Sequence, residues 1–143
     1  MQIPGTAFRI KREALTRQLA KDAPLRDLMQ SYAGFALGQV AQTAACNRLH
    51  SLEARLCRWL LTAHDNTPSD TFPLTHEYLA MMLGVQRAGV SIAASFLKQA
   101  ALIQYTRGFV TVLNRAGLED ASCECYQTTQ DQLAKLFGRS GKR

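Results

Sequence analysis

Apolar residues recur at intervals of three and four positions along residues 24–46, the spacing that places side chains on one face of a helix. They form a single stripe over about six turns: Leu25, Leu28, Met29, Tyr32, Phe35, Ala36 and Val40. Pro24 suits a first helical turn and disfavours helical geometry in the residue before it. The pattern therefore predicts a long helix from Pro24, preceded by a short helix over residues 12–19 that stops near Ala23.

This long helix needs a partner for its apolar stripe. The sequence leaves two arrangements open, pairing with the same helix of a second copy or packing within the same chain. Gln39 and Gln42 interrupt a strict heptad near the lower end of the stripe. We expect pairing between two copies, because the 143 residues contain no second domain that could cover the stripe.

A second helical stripe follows and should belong to the core of a folded domain. Its apolar positions are Leu49, Leu52, Leu56, Trp59, Leu60 and Ala63. Arg48, Arg55 and Arg58 are interleaved with them, and we expect these arginines on other faces of the helix. The turn-forming segment AHDNTPSD ends this helix.

Residues 75–93, THEYLAMMLGVQRAGVSIA, have the spacing of a helix-turn-helix. Thr75 can cap the first helix, and Gly84 stands where the chain must turn sharply, because glycine tolerates a positive φ. The apolar faces of the two helices comprise Leu79, Ala80, Leu83, Val85, Val90 and Ala93. Any short helical hairpin needs a small residue at its crossing and a glycine at its bend, so this pattern alone is only moderately specific for DNA binding.

The flanking segments complete a winged helix-turn-helix. Residues 72–74 can form a brief strand before the motif. Residues 102–105 and 109–113 are β-prone runs separated by a short turn that contains Arg107, and their hairpin would be the wing. The predicted fold is mainly α with a small β-hairpin, in which a long dimerisation helix is followed by a winged helix-turn-helix DNA-binding domain.

Further elements are predicted at the two ends of the chain. The opening segment PGTAFRI, residues 4–10, is predicted to be a short strand. Asn114 can cap a last helix that runs to about residue 137. The closing segment GRSGKR is basic, and we expect it to be disordered.

Composition restricts the class of protein further. A chain of 143 residues with 47% hydrophobic and 20% charged residues is typical of one globular domain with an extension. No apolar run reaches the roughly 18 to 20 residues of a membrane span, and no secretory signal is present, so we expect a cytoplasmic protein without a membrane partner. The net charge of +6 suits a polyanionic partner such as nucleic acid.

The cysteines and histidines raise the question of a metal site. Cys46 and His50 are four residues apart, and Cys123 and Cys125 are close together. We expect no metal, because two cysteines two apart on a helix would point to different faces. The four cysteines fit reduced thiols rather than a disulfide framework. The sequence also lacks a nucleophile elbow, a paired-carboxylate pattern and a phosphate-binding glycine loop, so we do not expect an enzyme.

Contacts to base edges should come from the second helix of the motif, over residues 86–99. Arg87 near its start can offer two donors to guanine O6 and N7. Gln86 can bond adenine or phosphate, and Ser91 can reach a phosphate or a nearby base. We expect Arg87 to carry most of the base recognition.

Contacts to phosphates should come from the flanks of that helix. Thr75 at a helix start combines a hydroxyl with free backbone N–H groups, which suits a phosphate, although it could equally be an ordinary helix cap. Arg107 at the wing tip is expected to contact the backbone or the minor groove; the alternative is a solvated turn residue. Lys98 is expected on a solvated face.

With these features the chain resembles the Crp/Fnr family of bacterial transcription regulators. The residues that carry the resemblance are LTHEYLAMMLGVQRAGVSIAASFLKQAALIQYTRG, including the Leu102-Ile103 pair that leads into the wing. The resemblance implies a remnant of the sensor domain over residues 1–23, with its end strand and a short helix. It implies a dimerisation helix and hinge over 24–46 and the winged helix-turn-helix DNA-binding domain over 47–143.

The resemblance also implies partners and site residues. A regulator of this type would be a homodimer on double-stranded DNA with a near-palindromic operator, and RNA polymerase is a further partner to consider. Arg87 matches the family's principal base-reading arginine, whereas Ala88 replaces a commonly acidic position and Ile92 a commonly basic one. The operator should therefore differ from the best-known family consensus.

The family's effector pocket and the cysteines of its iron–sulfur branch would lie upstream of Met1. These residues therefore name no effector and imply no cofactor in this chain, and we expect a fragment of a longer regulator rather than a complete gene product. Two other functions are open. One is a dimerisation or protein-interaction module whose winged domain no longer reads DNA, and the other is a redox or metal sensor that uses the four cysteines.

Overall fold

The computed structural model describes residues 6–138 and confirms a mainly helical fold with a small sheet. The elements, in chain order, are α1 (Arg12–Lys21), α2 (Ala23–Leu49), α3 (Leu52–Asp65), β1 (Thr71–Pro73), α4 (His76–Leu83), α5 (Arg87–Gln99), β2 (Ile103–Thr106), β3 (Phe109–Val112), α6 (Arg115–Ala121) and α7 (Cys125–Leu136). The helix-turn-helix is α4 with α5, and the wing is the β2–β3 hairpin.

The long helix α2 begins where its sequence signals predict. The side chain of Asp22 caps it by accepting a hydrogen bond from the backbone N–H of Leu25, and Pro24 lies in the first turn. The helix has 27 residues and continues past Cys46 to Leu49. Leu49, expected in the core stripe of the next helix, is 72% exposed instead, because it belongs to the end of α2 and the chain turns at His50 and Ser51.

The predicted strand at residues 4–10 is wrong for the residues that the structure describes. Residues 6–11 have no regular secondary structure, and Phe8 is fully exposed. A strand needs a neighbouring strand to pair its backbone groups, and none of the described strands lies beside this segment. Residues 4 and 5, like residues 139–143 of the predicted disordered tail, lie outside the described range.

The core lies where α3, α4 and α5 pack against the wing and α6. The predicted stripe of α3 is confirmed at its centre, where Leu56 and Leu60 are fully buried. Around them lie other buried apolar side chains: Leu61, Leu83, Val90, Ile103, Val110 and Leu118. This packing fixes the helix-turn-helix against the rest of the domain, since each such side chain gains roughly 1.5 to 3 kcal/mol on burial.

Two arginines of α3 are not on solvent-facing sides as predicted. Arg55 is 8% and Arg58 5% exposed. Arg55 is buried because its Nη1 donates to the backbone oxygen of Leu83, at 3.1 Å, and to Asn47 Oδ1, at 3.0 Å. Arg58 lies with its guanidinium 5.6 Å from the centroid of the Trp59 ring, while its Nε and Nη2 have no hydrogen-bond partner in the described chain. Periodicity alone treats arginine as a surface residue and misses these contacts.

The predicted wing is present and is part of a larger sheet. The strand order is β1-β3-β2, with both pairs antiparallel. At the hairpin turn Arg107 has φ 49° and Gly108 has φ 85°, the two positive values that a tight turn between twisted strands requires. The brief strand at residues 72–74 was predicted, but its pairing with β3 was not.

The single last helix predicted from Asn114 to residue 137 is wrong. Asn114 does cap a helix, through the backbone N–H of Gly117, but that helix, α6, ends at Ala121 and α7 begins at Cys125. The break turns Tyr126 towards α3, where its hydroxyl donates to Asp65 Oδ2 at 2.9 Å. Arg115 also bonds Asp65, at 2.8 Å, so contacts with α3 select two short helices over a continuous one.

Within residues 6–138, none of the helices taken singly has both the length and the apolar character that crossing a membrane requires. The bent pair α4 and α5 meets that requirement by length and composition only, with 108° between its halves.

The two glycines Gly117 and Gly34 provide a matched test of this packing. A Cβ at Gly117 would lie 2.5 Å from Leu102 Cδ2 and 2.9 Å from Asn114 Nδ2, whereas a Cβ at Gly34 would meet nothing within 4 Å. We expect Gly117→Ala to change the free energy of unfolding less favourably than Gly34→Ala by about 1 to 2 kcal/mol, because Leu102 and the capping side chain of Asn114 must shift and this offsets the gain in helix propensity. Gly34→Ala should raise the free energy of unfolding by up to about 1 kcal/mol through helix propensity. Urea denaturation measures both, and equal effects would contradict the packing described.

Candidate nucleic-acid interface

The turn between α4 and α5 sets the direction of the recognition helix. Gly84 adopts the left-handed conformation, with φ 65° and ψ 37°, and the backbone N–H of Val85 donates to Ala80 O at 3.0 Å. Leu79 and Leu83 of α4 are buried against Val90 and neighbouring side chains of the core. This arrangement leaves the opposite side of α5 facing solvent.

The start of α5 presents the predicted base-reading residues. Gln86 is the N-cap residue, without a side-chain cap hydrogen bond, and Arg87 is the first residue of the helix; both are exposed. Ala88 and Ile92 are exposed on the same helix, Ile92 to 58%. The outer face of α5 therefore has a guanidinium and an amide at its N-terminal end and an apolar patch one turn later.

Arg87 also lines a recess between the two helices of the motif and the wing. The recess is bordered by Thr75, His76, Glu77, Arg87, Tyr105 and Gly108. The Thr75 hydroxyl caps α4 by accepting from the backbone N–H of Tyr78 at 3.2 Å, which confirms the predicted cap. The N-terminus of α4 has a positive dipole end, which together with Arg87 suits an anion such as a phosphate. Glu77 is the opposing charge at the rim.

His76 lines the recess, and its side chain is held by neighbouring residues. It is half-buried, and its Nδ1 lies 2.9 Å from Ser91 Oγ, which itself donates to the backbone oxygen of Arg87 at 3.1 Å. Its ring centroid lies 4.2 Å from that of Tyr105, whose hydroxyl donates to Leu74 O. Ser91 is exposed, as a contact residue must be, but its hydroxyl is already engaged with these two groups.

The side chains of His76 and Tyr105, which lie beside Arg87 in the recess, are neutral near pH 7. Burial lowers the pKa of His76, and the positive charge of Arg87 lowers it further. Burial also raises the pKa of Tyr105. Sequence reasoning missed the pairing of His76 with Tyr105, and only the alternation Ile103, Tyr105 along β2, which points both side chains to one face, could have suggested it.

The wing tip lies beside the start of α4. Leu74 donates its backbone N–H to Gly108 O at 2.8 Å, and Arg107, which precedes Gly108, is exposed. The structure thus brings Thr75, Arg87 and the wing tip to one side of the domain. Lys98 is exposed in the last turn of α5, about 17 Å along the helix from Arg87 at 1.5 Å per residue.

A separate group of side chains lies between the end of α2 and the break before α7, and it has the composition of a metal site. The donor atoms of Cys46, His50, Cys123 and Cys125 lie within 4.8 Å of one another. The sequence-based argument against a metal assumed that Cys123 and Cys125 share a helix. That assumption is wrong, because Cys123 lies in the break before α7 and its thiol can turn towards α2.

Comparison with known proteins identifies the domain. Residues 54–121 match the family model of the Crp-like helix-turn-helix domain. This segment is therefore a Crp-like helix-turn-helix domain. The matched residues run from α3 to the end of α6 and so contain the whole Crp-like interface described above. No match was found among curated proteins.

Solved structures share this fold. A transcriptional regulator of the CRP family from Thermus thermophilus matches at 26% identity and a TM-score of 0.56, covering 79% of this chain and 55% of that chain. A putative transcriptional regulator of the Crp/Fnr family from Eubacterium rectale matches at 21% identity and 0.60, covering 73% and 48%. A CooA mutant from Carboxydothermus hydrogenoformans matches at 18% and 0.64, covering 76% and 54%. The chain thus spans about half the length of these structures.

The depressed pKa of His76 makes stability depend on pH. Its pKa in the folded chain lies below the ordinary value of 6.5, so the unfolded chain binds the proton more readily. We expect the free energy of unfolding to fall as the pH drops through the range just below 6.5, until His76 is protonated in the folded chain as well. In His76→Gln this fall should be smaller, because the buried imidazole is gone. Urea denaturation at a series of pH values measures the slope, and equal slopes in both proteins would contradict the burial described.

Proposed function

We propose that this chain, a Crp/Fnr-type DNA-binding regulator of transcription, acts as a homodimer that inserts α5 into the major groove of a near-palindromic operator. The observation that supports this most directly is the shared face of the α4 start, the α5 start and the wing tip, where Thr75, Arg87 and Gly108 border one recess. A major groove about 12 Å wide admits a helix whose polar start faces the base edges.

Each residue of this face has a proposed contact. Arg87 reads a guanine through O6 and N7, and Gln86 contacts an adenine or a phosphate. Ile92, exposed one turn after Ala88, offers an apolar contact to a thymine methyl group. Thr75 at the start of α4 and Arg107 at the wing tip contact phosphates, which position the helix without selecting sequence. Ser91 has an indirect role in this proposal. Its hydroxyl is already bonded to His76 and to the backbone oxygen of Arg87, so it is a weak hydrogen-bond partner for DNA.

The homodimer is proposed from the exposed face of α2. Its apolar stripe is uncovered in a single chain: Leu28 is 46%, Met29 43%, Tyr32 53% and Val40 68% exposed. Within residues 6–138, α1 and α7 contact α2 and cover only part of its surface. Pairing two copies of α2 would bury the stripe and hold two recognition helices about 34 Å apart, the spacing of half-sites one helical turn apart.

Substitution of Arg87 and Arg107 separates base reading from phosphate contact. After selection of a preferred duplex from a random pool, Arg87→Ala should weaken binding by about 1 to 3 kcal/mol, roughly 5- to 150-fold, and relax selection at one base pair in each half-site. Arg107→Ala should weaken binding to all sequences alike and lower the salt slope by about 1. Fluorescence anisotropy at several salt concentrations measures both.

Lys98→Ala, on the same helix but far from its start, is the control and should change affinity little. If Arg87→Ala and Arg107→Ala both kept full affinity for the selected site, the assigned DNA-facing side would be wrong. If the unaltered chain selected no site, the interpretation as a protein-interaction module would replace this proposal.

A charge placed in the apolar stripe of α2 tests the dimer. Tyr32→Glu should convert the dimer to a monomer at micromolar concentration, because a carboxylate would be buried in the paired interface. Leu37→Glu is the matched control, since Leu37 is exposed to 72% but lies off the three-and-four stripe. Sedimentation equilibrium measures the mass. A monomeric unaltered chain, or a dimer in the Tyr32→Glu variant, would contradict pairing through this stripe.

A further inference from the structure

Four donor side chains meet between the end of α2 and the break before α7. We call them the Cys3His cluster: Cys46, His50, Cys123 and Cys125. Cys46 and Cys123 are buried with their Sγ atoms 3.6 Å apart, and Cys125 Sγ lies 3.6 Å from His50 Nδ1. Tetrahedral zinc, with Zn–S of about 2.3 Å and Zn–N of about 2.0 Å, separates two sulfurs by about 3.8 Å and a sulfur from a nitrogen by about 3.5 Å. These two donor pairs are thus already spaced for one ion, and all four donor atoms lie within 4.8 Å of one another.

The other nitrogen of His50 is oriented as in zinc sites. Its Nε2 lies 3.1 Å from Glu124 Oε1, while Nδ1 faces the cluster. A zinc-bound histidine usually donates its second ring N–H to a carboxylate, which fixes the tautomer and the ring orientation. Gln42 adds a second outer contact, because its Nε2 donates to Cys125 Sγ at 2.9 Å. Such an N–H donor stabilises negative charge on the sulfur.

A buried positive charge lies near the cluster. Arg58 is 5% exposed, and its Nε and Nη2 have no hydrogen-bond partner in the described chain. Burial raises the pKa of the Cys46 thiol, while the hydrogen bond with Cys123 and the charge of Arg58 act in the opposite direction. Three thiolates, a neutral imidazole and Zn²⁺ carry one net negative charge. That charge would partly compensate the buried guanidinium of Arg58.

We propose that the Cys3His cluster binds one Zn²⁺ ion as a closed, four-coordinate structural site. Three cysteines and one histidine are a common ligand set for structural zinc, and no position is left for a substrate or water. The site ties the last turn of α2 to the segment that joins α6 to α7. Its ligands are distinct from the residues proposed to contact DNA.

Two other fates of these thiols fit less well. A Cys46–Cys123 disulfide would leave Cys125 and His50, whose donor atoms lie 3.6 Å apart, without a role. A cluster of two irons needs its four ligands in two pairs, one on each iron. All four donor atoms here lie within 4.8 Å of one another, which suits a single ion.

Metal binding to the full chain tests the proposal directly. The chain, purified with a reductant and supplied with ZnSO₄, should retain about one zinc per chain after desalting, measured by mass spectrometry of the metal content. Co²⁺ added to metal-free protein should give the thiolate-to-cobalt charge-transfer band and the intense visible bands of a tetrahedral site. Zinc should also raise the Tm, because it binds the folded chain.

Single substitutions locate the ion. Cys123→Ser and His50→Ala should lose the stoichiometric metal and the rise in Tm, whereas Cys57→Ala, which removes the one cysteine outside the cluster, should keep both. Circular dichroism shows whether each variant folds. The cobalt spectrum of the unaltered chain tests the site without any substitution. Zinc well below one per chain, an octahedral cobalt spectrum, or equal loss in Cys57→Ala would overturn the proposal. DNA affinity, measured separately, reports on the proposed function and not on this site.

Discussion

The direction of the recognition helix depends on one buried charge. The Arg55 guanidinium donates to Leu83 O, at the last residue of α4, and to Asn47 Oδ1, in the last turns of α2. The end of α4 is where carbonyls lack partners within the helix and where the dipole is negative, so it is a favourable acceptor for a cation. A buried guanidinium without such acceptors would cost several kcal/mol. The arginine thus holds three helices together at the turn that aims α5.

Charge is also controlled at the recess that Thr75 and Arg87 border. Arg87 stands over His76 and Tyr105, whose pKa shifts keep both of them neutral near pH 7. A protonated imidazole there would repel the guanidinium, and an ionised phenol would neutralise it. The helix N-termini and the exposed arginines therefore act on an approaching polyanion with only Glu77 opposing them in the recess.

Local pattern was sufficient for most of the fold and for part of the interface. The stripe before Cys46, the glycine bend and the hairpin turn each follow from periodicity or backbone preference, and Arg87 follows from its position at a helix start. The other features depend on contacts between distant residues. Arg55 is buried because Leu83 lies opposite it, the break before α7 follows from bonds to Asp65, and Cys46 meets Cys123 only after α2 and α7 have packed. No periodicity encodes such encounters.

The length of α2 gives mechanical importance to the contacts at its C-terminal end. With 27 residues the helix extends about 40 Å, at 1.5 Å per residue. Gln39 bonds Gln132 of α7, and Asn47 bonds Arg55 of α3, so this end of the helix is held by its neighbours. A tilt of about 10° about these contacts displaces the far end of α2 by about 7 Å. The stiffness of these contacts therefore determines how much of a movement at the far end reaches α3.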